Sequence, residues 1–482
     1  MTVEYVTDVG LEIHVQLDTE SKMFCSCSAR FGAEPNSRCC PVCSGMPGAL
    51  PTVNRKAVEY AVRVGLMLGC RIAPVTSFDR KNYFYPDLPR GYQITQTRMP
   101  ICTGGALTYD CGDEEKTAHF IEIHMEDDAG KLIHGEDGYV FADYNRCGVP
   151  LLEFVTGPCF HSGNEAEAFL DELILTLREL GISDCRMQEG SLRADVNVSV
   201  HAPGFTAAER TEMKNLGSVR AVRLAVEYES ARQCAVLERG DSVRRETRRW
   251  DETRNMSETM REKESREDYR YFPEPDIPEL DTSEIVSRLS GEERPMLPRE
   301  RRRRYTELYG LGNTECRTLT SRRDIRDFFE SCIELGAAAD EISNWLCGEG
   351  MRILKKRGGS LGDCCLTPEK LCDLTKAVSV GKYTRTAAKE VFEALFDYDG
   401  STEECAEALG LSACADAGET ERAVRSVAES CPQQVKQYLE GKTKVFGYLK
   451  GQVMRELRGR GNPAIIDDVL GQFLDDIDHK RY

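Results

Sequence analysis

The 482-residue chain is 30% charged and 40% hydrophobic, with a formal net charge of −18. That balance is ordinary for a soluble protein of roughly two to four domains, and the acid excess excludes general nucleic-acid binding by the whole surface, so any RNA contact has to use local basic patches. No apolar run is long enough to span a bilayer, and Glu4, Asp8, Glu12, Asp18 and Glu20 speak against a secretory signal or transit peptide at the amino terminus.

In chain order, the first informative segment is Glu12-Ile13-His14. On a strand, Glu12 and His14 project from one face because they are two apart. Two thiol pairs follow, Cys25-Ser26-Cys27 and Cys40-Pro41-Val42-Cys43, joined by a loop carrying Gly32, Pro35, Asn36 and Ser37. Four thiols in two close pairs are the donor set of a structural Zn²⁺ site. The competing reading is that some of the chain's 21 cysteines are small buried hydrophobes. No strand–CxxC–helix pattern supports a redox role, and Cys39 is an ambiguous fifth thiol. The remaining cysteines show no disulfide framework, so a reducing, cytoplasmic setting is expected.

The stretch 79–93 is dense in aromatic and cationic groups, among them Lys81, Tyr83, Tyr85 and Arg90. Its aromatic faces suit a base and its cations suit phosphates, with an ordered core-capping loop as the alternative. Glu122-Ile123-His124-Met125-Glu126 alternates polar and apolar, as does 193–200, and both read as strands with one apolar face. Glu153 is an acid inside the apolar run 150–154, which is costly without a partner. Carboxylates converging from separate strands suit a hard cation such as Mg²⁺, although each alone also fits a solvated strand face. An amphipathic helix is predicted over about 164–180, with Phe169, Leu170, Leu173, Ile174 and Leu177 on one side and Gly181 as its stop. Another starts near Ser218, a plausible N-cap, and carries Val219, Val222 and Val226.

A second aromatic–cationic stretch spans 268–276, and prolines at 273, 275, 278, 295 and 298 then mark a border. Beyond it the pattern is helical. The expected organisation is α+β: a mainly antiparallel-sheet domain over 1–292, an all-helical domain over 293–405 and a small helical tail over 406–482. The arginine run 299–304 reads as a solvated helix face or hinge. Gly358-Gly359-Ser360 reads as a turn without the context of an amidase. Gly441-Lys442-Thr443 is no phosphate loop, because Lys436 occupies the required earlier glycine position. Lys442, Lys444, Lys450, Arg455, Arg458 and Arg460 form a basic cluster suited to phosphate contacts.

An ordered set of blocks carries a resemblance. It comprises 9–17, the cysteine quartet leading to Pro47-Gly48-Ala49-Leu50-Pro51, Lys81-Asn82-Tyr83-Phe84-Tyr85-Pro86-Asp87, and His124-Met125-Glu126-Asp127-Asp128. It continues with Asp143-Tyr144-Asn145-Arg146, Glu189-Gly190-Ser191-Leu192-Arg193, Lys214-Asn215-Leu216, 246–250, 268–276 and Gly451-Gln452-Val453-Met454. Together these resemble the B subunit of the aspartyl/glutamyl-tRNA amidotransferases, the GatB family.

The resemblance implies a cradle-shaped catalytic domain, a helical domain and a tRNA-binding tail. It implies an ATP-dependent ligase that phosphorylates the side-chain carboxylate of Glu-tRNA(Gln) or Asp-tRNA(Asn). Amidation then uses ammonia that an amidase A subunit releases from glutamine, and a small C subunit completes a heterotrimer without a membrane. On this basis Glu12, His14, Glu126 and Glu153 are expected to line the Mg²⁺ and reacting-carboxylate site, with His14 able to orient or deprotonate the incoming ammonium. Lys81, Tyr83, Tyr85 and Arg90 are candidates for ATP or the acceptor end, and Lys214, Arg261, Lys263 and Arg270 are weaker ones. Cys25, Cys27, Cys40 and Cys43 are expected to hold structural Zn²⁺. Asp127 stands where the family often has a second glutamate, and Gly217 where it often has asparagine. A rival reading is a non-catalytic, zinc-stabilised tRNA-binding adaptor. An archaeal-type paralogue needs a large inserted domain, for which this length leaves no room.

Overall fold

A computed structural model describes residues 5–135, 137–205, 209–262, 266–411, 417–457 and 461–479. Seven strands build most of one large sheet. They are β1 (Val6–Gln16), β2 (Glu114–Asp127), β3 (Pro150–Thr156), β4 (Leu192–His201), β5 (Thr211–Lys214), β6 (Glu246–Asp251) and β7 (Met256–Glu262). Their order is β7-β6-β5-β4-β1-β3-β2, and the short strands Cys102–Thr103 and Arg71–Ile72 extend the β2 edge. Ala106–Cys111 also pairs with β2. All these pairings are antiparallel except β5 with β6. The sheet is thus the mainly antiparallel one that the alternating sequence pattern implies.

One face of the sheet is apolar. Val9, Leu11, Ile13 and Val15 of β1, Leu152 and Phe154 of β3, and Ala194, Val196 and Val198 of β4 are all buried there. The period of two then sends Glu12 and His14, Glu153, Arg193 and Asp195 to the opposite face. Helices α1 (Arg55–Met67), α2 (Gly163–Glu179) and α3 (Val219–Glu238) contribute to the same apolar core. The Ser162 and Ser218 hydroxyls cap α2 and α3 by accepting N–H bonds from Glu165 and Ala221. Gly163 is required where α2 meets α3, since a Cβ there would lie 2.5 Å from the Arg223 carbonyl oxygen. Gly181, with φ +64°, ends the helical segment in the left-handed region. Phe169 of α2 packs against Phe120, Phe160 and Tyr109 with ring centroids 4.9–5.9 Å apart.

The chain divides into two compact units, Met1–Arg299 and Glu300–Tyr482. In the second, the described residues form helices and turns. They gather into two apolar clusters, one around Phe329, Trp345, Phe392 and Phe396, the other around Val424, Leu449, Val453, Ile466 and Leu470. The arginine run is the expected solvated face only in part, with Arg303 and Arg304 exposed. It opens the helix Pro298–Tyr309, where Arg299 pairs with Asp110 at 2.9 Å, Arg301 with Glu330, and Arg302 is buried. Gly358 and Gly359 both take positive φ, consistent with a turn. No helix among the described residues is long and apolar enough to cross a membrane.

Candidate active site

Strand register builds a charged row across the polar face of the sheet. His14 on β1 lies opposite Glu153 on β3 and Arg193 on β4, and Glu153 lies opposite His124 on β2. His14 Nε2 approaches Glu153 Oε2 at 3.4 Å and Glu126 Oε1 at 3.3 Å. His124 Nε2 approaches the same Glu153 oxygen at 3.1 Å, and its Nδ1 is 3.4 Å from Glu122. Glu153 therefore has the partners that its apolar sequence neighbours withhold.

The ligand atoms of His14, Glu126 and Glu153 lie within 4.8 Å of one another. One imidazole and two carboxylates fit a divalent cation. Among the described residues, His14 is the one cationic side chain within ion-pair distance of the buried Glu126. Burial raises the Glu126 carboxyl above its ordinary range, with His14 opposing and Glu153 reinforcing that rise. Glu153 moves the other way: burial would raise it, but His14 and His124 together hold it well below the usual carboxylate range. Burial would lower both imidazoles, yet Glu153 above all raises them, His124 to about 10. A bound cation would replace these protons by favouring charged carboxylates and neutral His14.

Glu12 stands one step along the strand, opposite Val155 and Asp195, and accepts a 3.0 Å bond from Asn197. It lies outside the three-residue cluster but lines the same cavity of about 360 Å³, with Lys81, Lys214, Tyr269 and Tyr271 also on its walls. Phe272 and Pro273 pair with Arg80 and Asp79, and Arg80 grips Glu274 through two bonds of 2.7 and 2.8 Å. This docking holds Tyr269 near Lys81, whose ammonium is 4.9 Å from the ring centroid. Burial opposes charge on Lys81, but the nearby Tyr271, Glu126 and Glu153 outweigh it and raise the Lys81 pKa. Lys81 is also 6.0 Å from the Tyr83 ring.

The other candidates are placed less uniformly. Tyr85 is exposed. Arg90 is buried in an ion pair with Asp127, which also accepts from the Ile94 N–H, so the pair braces the start of the strand Tyr92–Thr95. Lys214 pairs with Asp195 and Glu212. Arg270 is exposed, and its carbonyl accepts from Asn82. The Arg261 side chain and all of Lys263 lie outside the described residues, as do Arg458 and Arg460. Lys442, Lys444 and Arg455 are exposed on the tail, while Lys450 pairs with Asp467 at 2.6 Å.

Sequence reasoning passed over Arg193, Asp195 and Asn197 as site residues, although it placed them on the polar face of a strand. The missing information was register, which sets each of them beside β1. Asp128 is buried and holds Arg193 at 2.9 Å, with Gln16 donating to its other oxygen at 2.9 Å.

The four thiols of Cys25, Cys27, Cys40 and Cys43 also converge within 4.8 Å, with Cys40 and Cys43 sulfurs 3.9 Å apart. A tetrahedron with Zn–S of about 2.3 Å has edges of about 3.8 Å, so the set fits Zn²⁺. Cys25 donates to Cys43, and with the Cys40 N–H and Lys22 it holds the Cys43 thiol down at about 4. Lys22 is fully buried. Its ammonium donates to the carbonyls of Arg38 at 2.8 Å and Tyr144 at 3.2 Å, and lies 3.5 Å from Cys43 Sγ.

Comparison with known proteins agrees with this architecture. Residues 7–287 match the model of the GatB/GatE catalytic domain, and residues 327–474 match that of the GatB domain. A protein of Caldicellulosiruptor saccharolyticus is 44% identical over 98% of this chain and 100% of its own length. One of Chlorobium limicola is 45% identical over 98% and 100%, and one of Lachnoclostridium phytofermentans 43% over 98% and 99%. Each is named as the B subunit of an aspartyl/glutamyl-tRNA(Asn/Gln) amidotransferase. With the family model covering the sheet unit that carries the charged row, and similarity running along the whole length, the chain belongs to the GatB family.

Proposed function

We propose that this chain is the B subunit of a tRNA-dependent amidotransferase that activates and amidates the side-chain carboxylate of Glu-tRNA(Gln), Asp-tRNA(Asn) or both. The observation that carries the proposal is the convergence of His14, Glu126 and Glu153 from three strands beside the half-buried Lys81. A purely tRNA-binding adaptor leaves that cluster without a use. The reading also takes an amidase A subunit as the ammonia source and a small C subunit as the third partner.

In the first step a substrate carboxylate oxygen attacks the γ-phosphorus of ATP. An O–P bond forms, the bond to the ADP oxygen breaks, and ADP leaves. Ammonia then attacks the acyl carbon, the bond to the phosphate oxygen breaks, and inorganic phosphate leaves with the new amide formed. Little covalent help is needed; the protein has to position groups and neutralise charge. His14, Glu126 and Glu153 would hold Mg²⁺, which when bound supplies positive charge to the phosphate oxygens. Lys81 remains protonated and can donate to those oxygens. Lys214, positioned by Asp195, offers a second cation on the cavity wall. Glu12, steadied by Asn197, would take the proton that ammonia loses after its attack.

The cysteine quartet is proposed to hold structural Zn²⁺, and the exposed basic residues of 406–482 to contact tRNA phosphates. Hydroxylamine tests the activation step. With mischarged tRNA and ATP the protein should form a tRNA-linked hydroxamate, and Glu126→Gln should abolish it. Equal hydroxamate from the variant would remove Glu126 from the mechanism.

A further inference from the structure

Away from the cysteine quartet, Cys70 and Cys102 place two free thiols in contact at the β2 edge of the large sheet. Cys102 opens the strand Cys102–Thr103, where it faces Ile123 of β2 on one side and Ile72 on the other. Cys70 comes one residue ahead of the strand Arg71–Ile72. The Cys102 thiol donates to the Cys70 sulfur.

The backbone holds the pair together. The Cys70 N–H donates to the Gly65 carbonyl at 2.8 Å, the Ala106 N–H to that of Leu68 at 2.9 Å, and the Ala73 N–H to that of Ile101 at 2.9 Å. These bonds fasten the end of α1 and residues 70–73 to residues 101–106 on either side of the sulfurs. Glycines leave the space that the sulfurs fill. A Cβ on Gly65 would lie 2.5 Å from Cys102 Sγ, and one on Gly105 would lie 2.4 Å from Cys70 Sγ.

The two thiols differ in a way that gives each a role. Cys102 is fully buried, with its sulfur 3.7 Å from the Ala61 carbonyl oxygen. Cys70 is half-buried, and its own S–H donates to the Gly104 carbonyl at 3.1 Å. The hydrogen bond from Cys102 lowers the Cys70 pKa against the effect of burial, and the same bond, with burial, raises that of Cys102. Thiolate character and access to solvent suit Cys70 to attack, and a buried neighbouring thiol suits Cys102 to resolve. Cys332 and Cys372, on the helices Arg323–Glu334 and Pro368–Ser379, also share a thiol hydrogen bond. Both of those are buried, so neither meets an oxidant in solution.

We propose that Cys70 and Cys102 are a hydroperoxide-reactive pair that closes to a reversible disulfide at the edge of the large sheet. The Cys70 thiolate attacks one oxygen of the hydroperoxide. An S–O bond forms, the O–O bond breaks, and the departing oxygen takes up a proton, leaving a sulfenic acid on Cys70. Cys102 then loses its proton and its sulfur attacks the Cys70 sulfur. The S–S bond forms, the S–O bond breaks, and the hydroxide leaves with that proton as water. The two sulfurs together supply the two electrons that reduce the peroxide. The product links the end of α1 to a strand that pairs directly with β2, the strand carrying His124 and Glu126.

The test treats the full-length protein, purified without chelator, with hydrogen peroxide, blocks the remaining thiols with N-ethylmaleimide and maps the peptides by mass spectrometry. The peptides carrying Cys70 and Cys102 should be recovered joined, about 2 Da lighter than their sum, and dithiothreitol should separate them. In Cys102→Ala no disulfide can close, so dimedone should trap a sulfenic acid on Cys70. In Cys70→Ala the buried Cys102 should be recovered blocked by N-ethylmaleimide, as should Cys332 and Cys372 in the wild type. Recovery of both Cys70 and Cys102 blocked after peroxide overturns the proposal. So does Cys70 joined to any other cysteine, oxidation of Cys102 at the wild-type rate in Cys70→Ala, or oxidation of the Cys332–Cys372 pair as fast as this one.

Discussion

Replacing Lys22 by methionine isolates one of the least conventional features of the chain. Lys22 is fully buried, and its ammonium serves two carbonyls, Arg38 and Tyr144, and the Cys43 sulfur. Methionine keeps most of the volume and removes the donor. The Tyr144 carbonyl keeps the Cys147 N–H at 3.1 Å, so only the Arg38 carbonyl loses its partner, which predicts a loss of about 1–3 kcal/mol. Unfolding entropy of about 2.1 cal/mol/K per residue gives the Met1–Arg299 unit about 0.6 kcal/mol/K. A central loss of about 2 kcal/mol therefore lowers the transition of that unit by about 3 °C, while the transition of Glu300–Tyr482 stays in place. Differential scanning calorimetry separates the two. The same variant should release zinc to a chelator faster, because the positive charge beside the thiolates is gone. A shift under about 1 °C with unchanged zinc release would refute the argument that Lys22 joins the cysteine clip to the 143–146 segment.

Further expectations follow from the same geometry. Metal analysis of protein purified without chelator should find about one zinc per chain, and Cys43→Ser should lose it. Manganese titration followed by electron paramagnetic resonance should show a bound ion that Glu126→Gln weakens by at least about 10-fold, the scale of losing one carboxylate ligand. Cation affinity should rise with pH, because His14 has a raised pKa and must release its proton to bind. For metal-free protein, the stability from His124 is full below its unfolded pKa of about 6.5 and is lost as pH rises through about 10, so His124→Asn should flatten that decline in a pH series of unfolding curves. Changing Lys442, Lys444 and Arg455 to glutamine should weaken tRNA binding and reduce its salt slope by about 2–3, and an unchanged slope argues against phosphate contacts by the tail.

Much of the fold was legible because it follows from local rules. The polar–apolar alternation of 193–200 places those residues inside β4, and Ser162 and Ser218 cap helices whose apolar stripes the sequence displays. The site was legible in part. Glu12 with His14, and Glu122 with His124 and Glu126, could be put on common strand faces, and the isolation of Glu153 flagged it as needing a partner. Which strands lie side by side is a long-range property, so the His14–Glu153–His124 row and the role of Arg193 came only with register. Two charged groups misled for the same reason. Arg90 and Arg299 look solvated or ligand-directed in sequence, yet Asp127 and Asp110, distant along the chain, take them up. Lys22 carried no signal at all, since nothing in its neighbours announces a buried ammonium.

The central claim is that the converged His14–Glu126–Glu153 cavity activates a tRNA-borne carboxylate. The most direct test combines this chain with the proposed amidase and small subunits, mischarged Glu-tRNA(Gln), ATP and glutamine, and follows both amide and ADP. Gln-tRNA(Gln) should form with one ADP released per amide, and Glu126→Gln should lose both. Amidation that proceeds without ATP, or that survives Glu126→Gln undiminished, would contradict it.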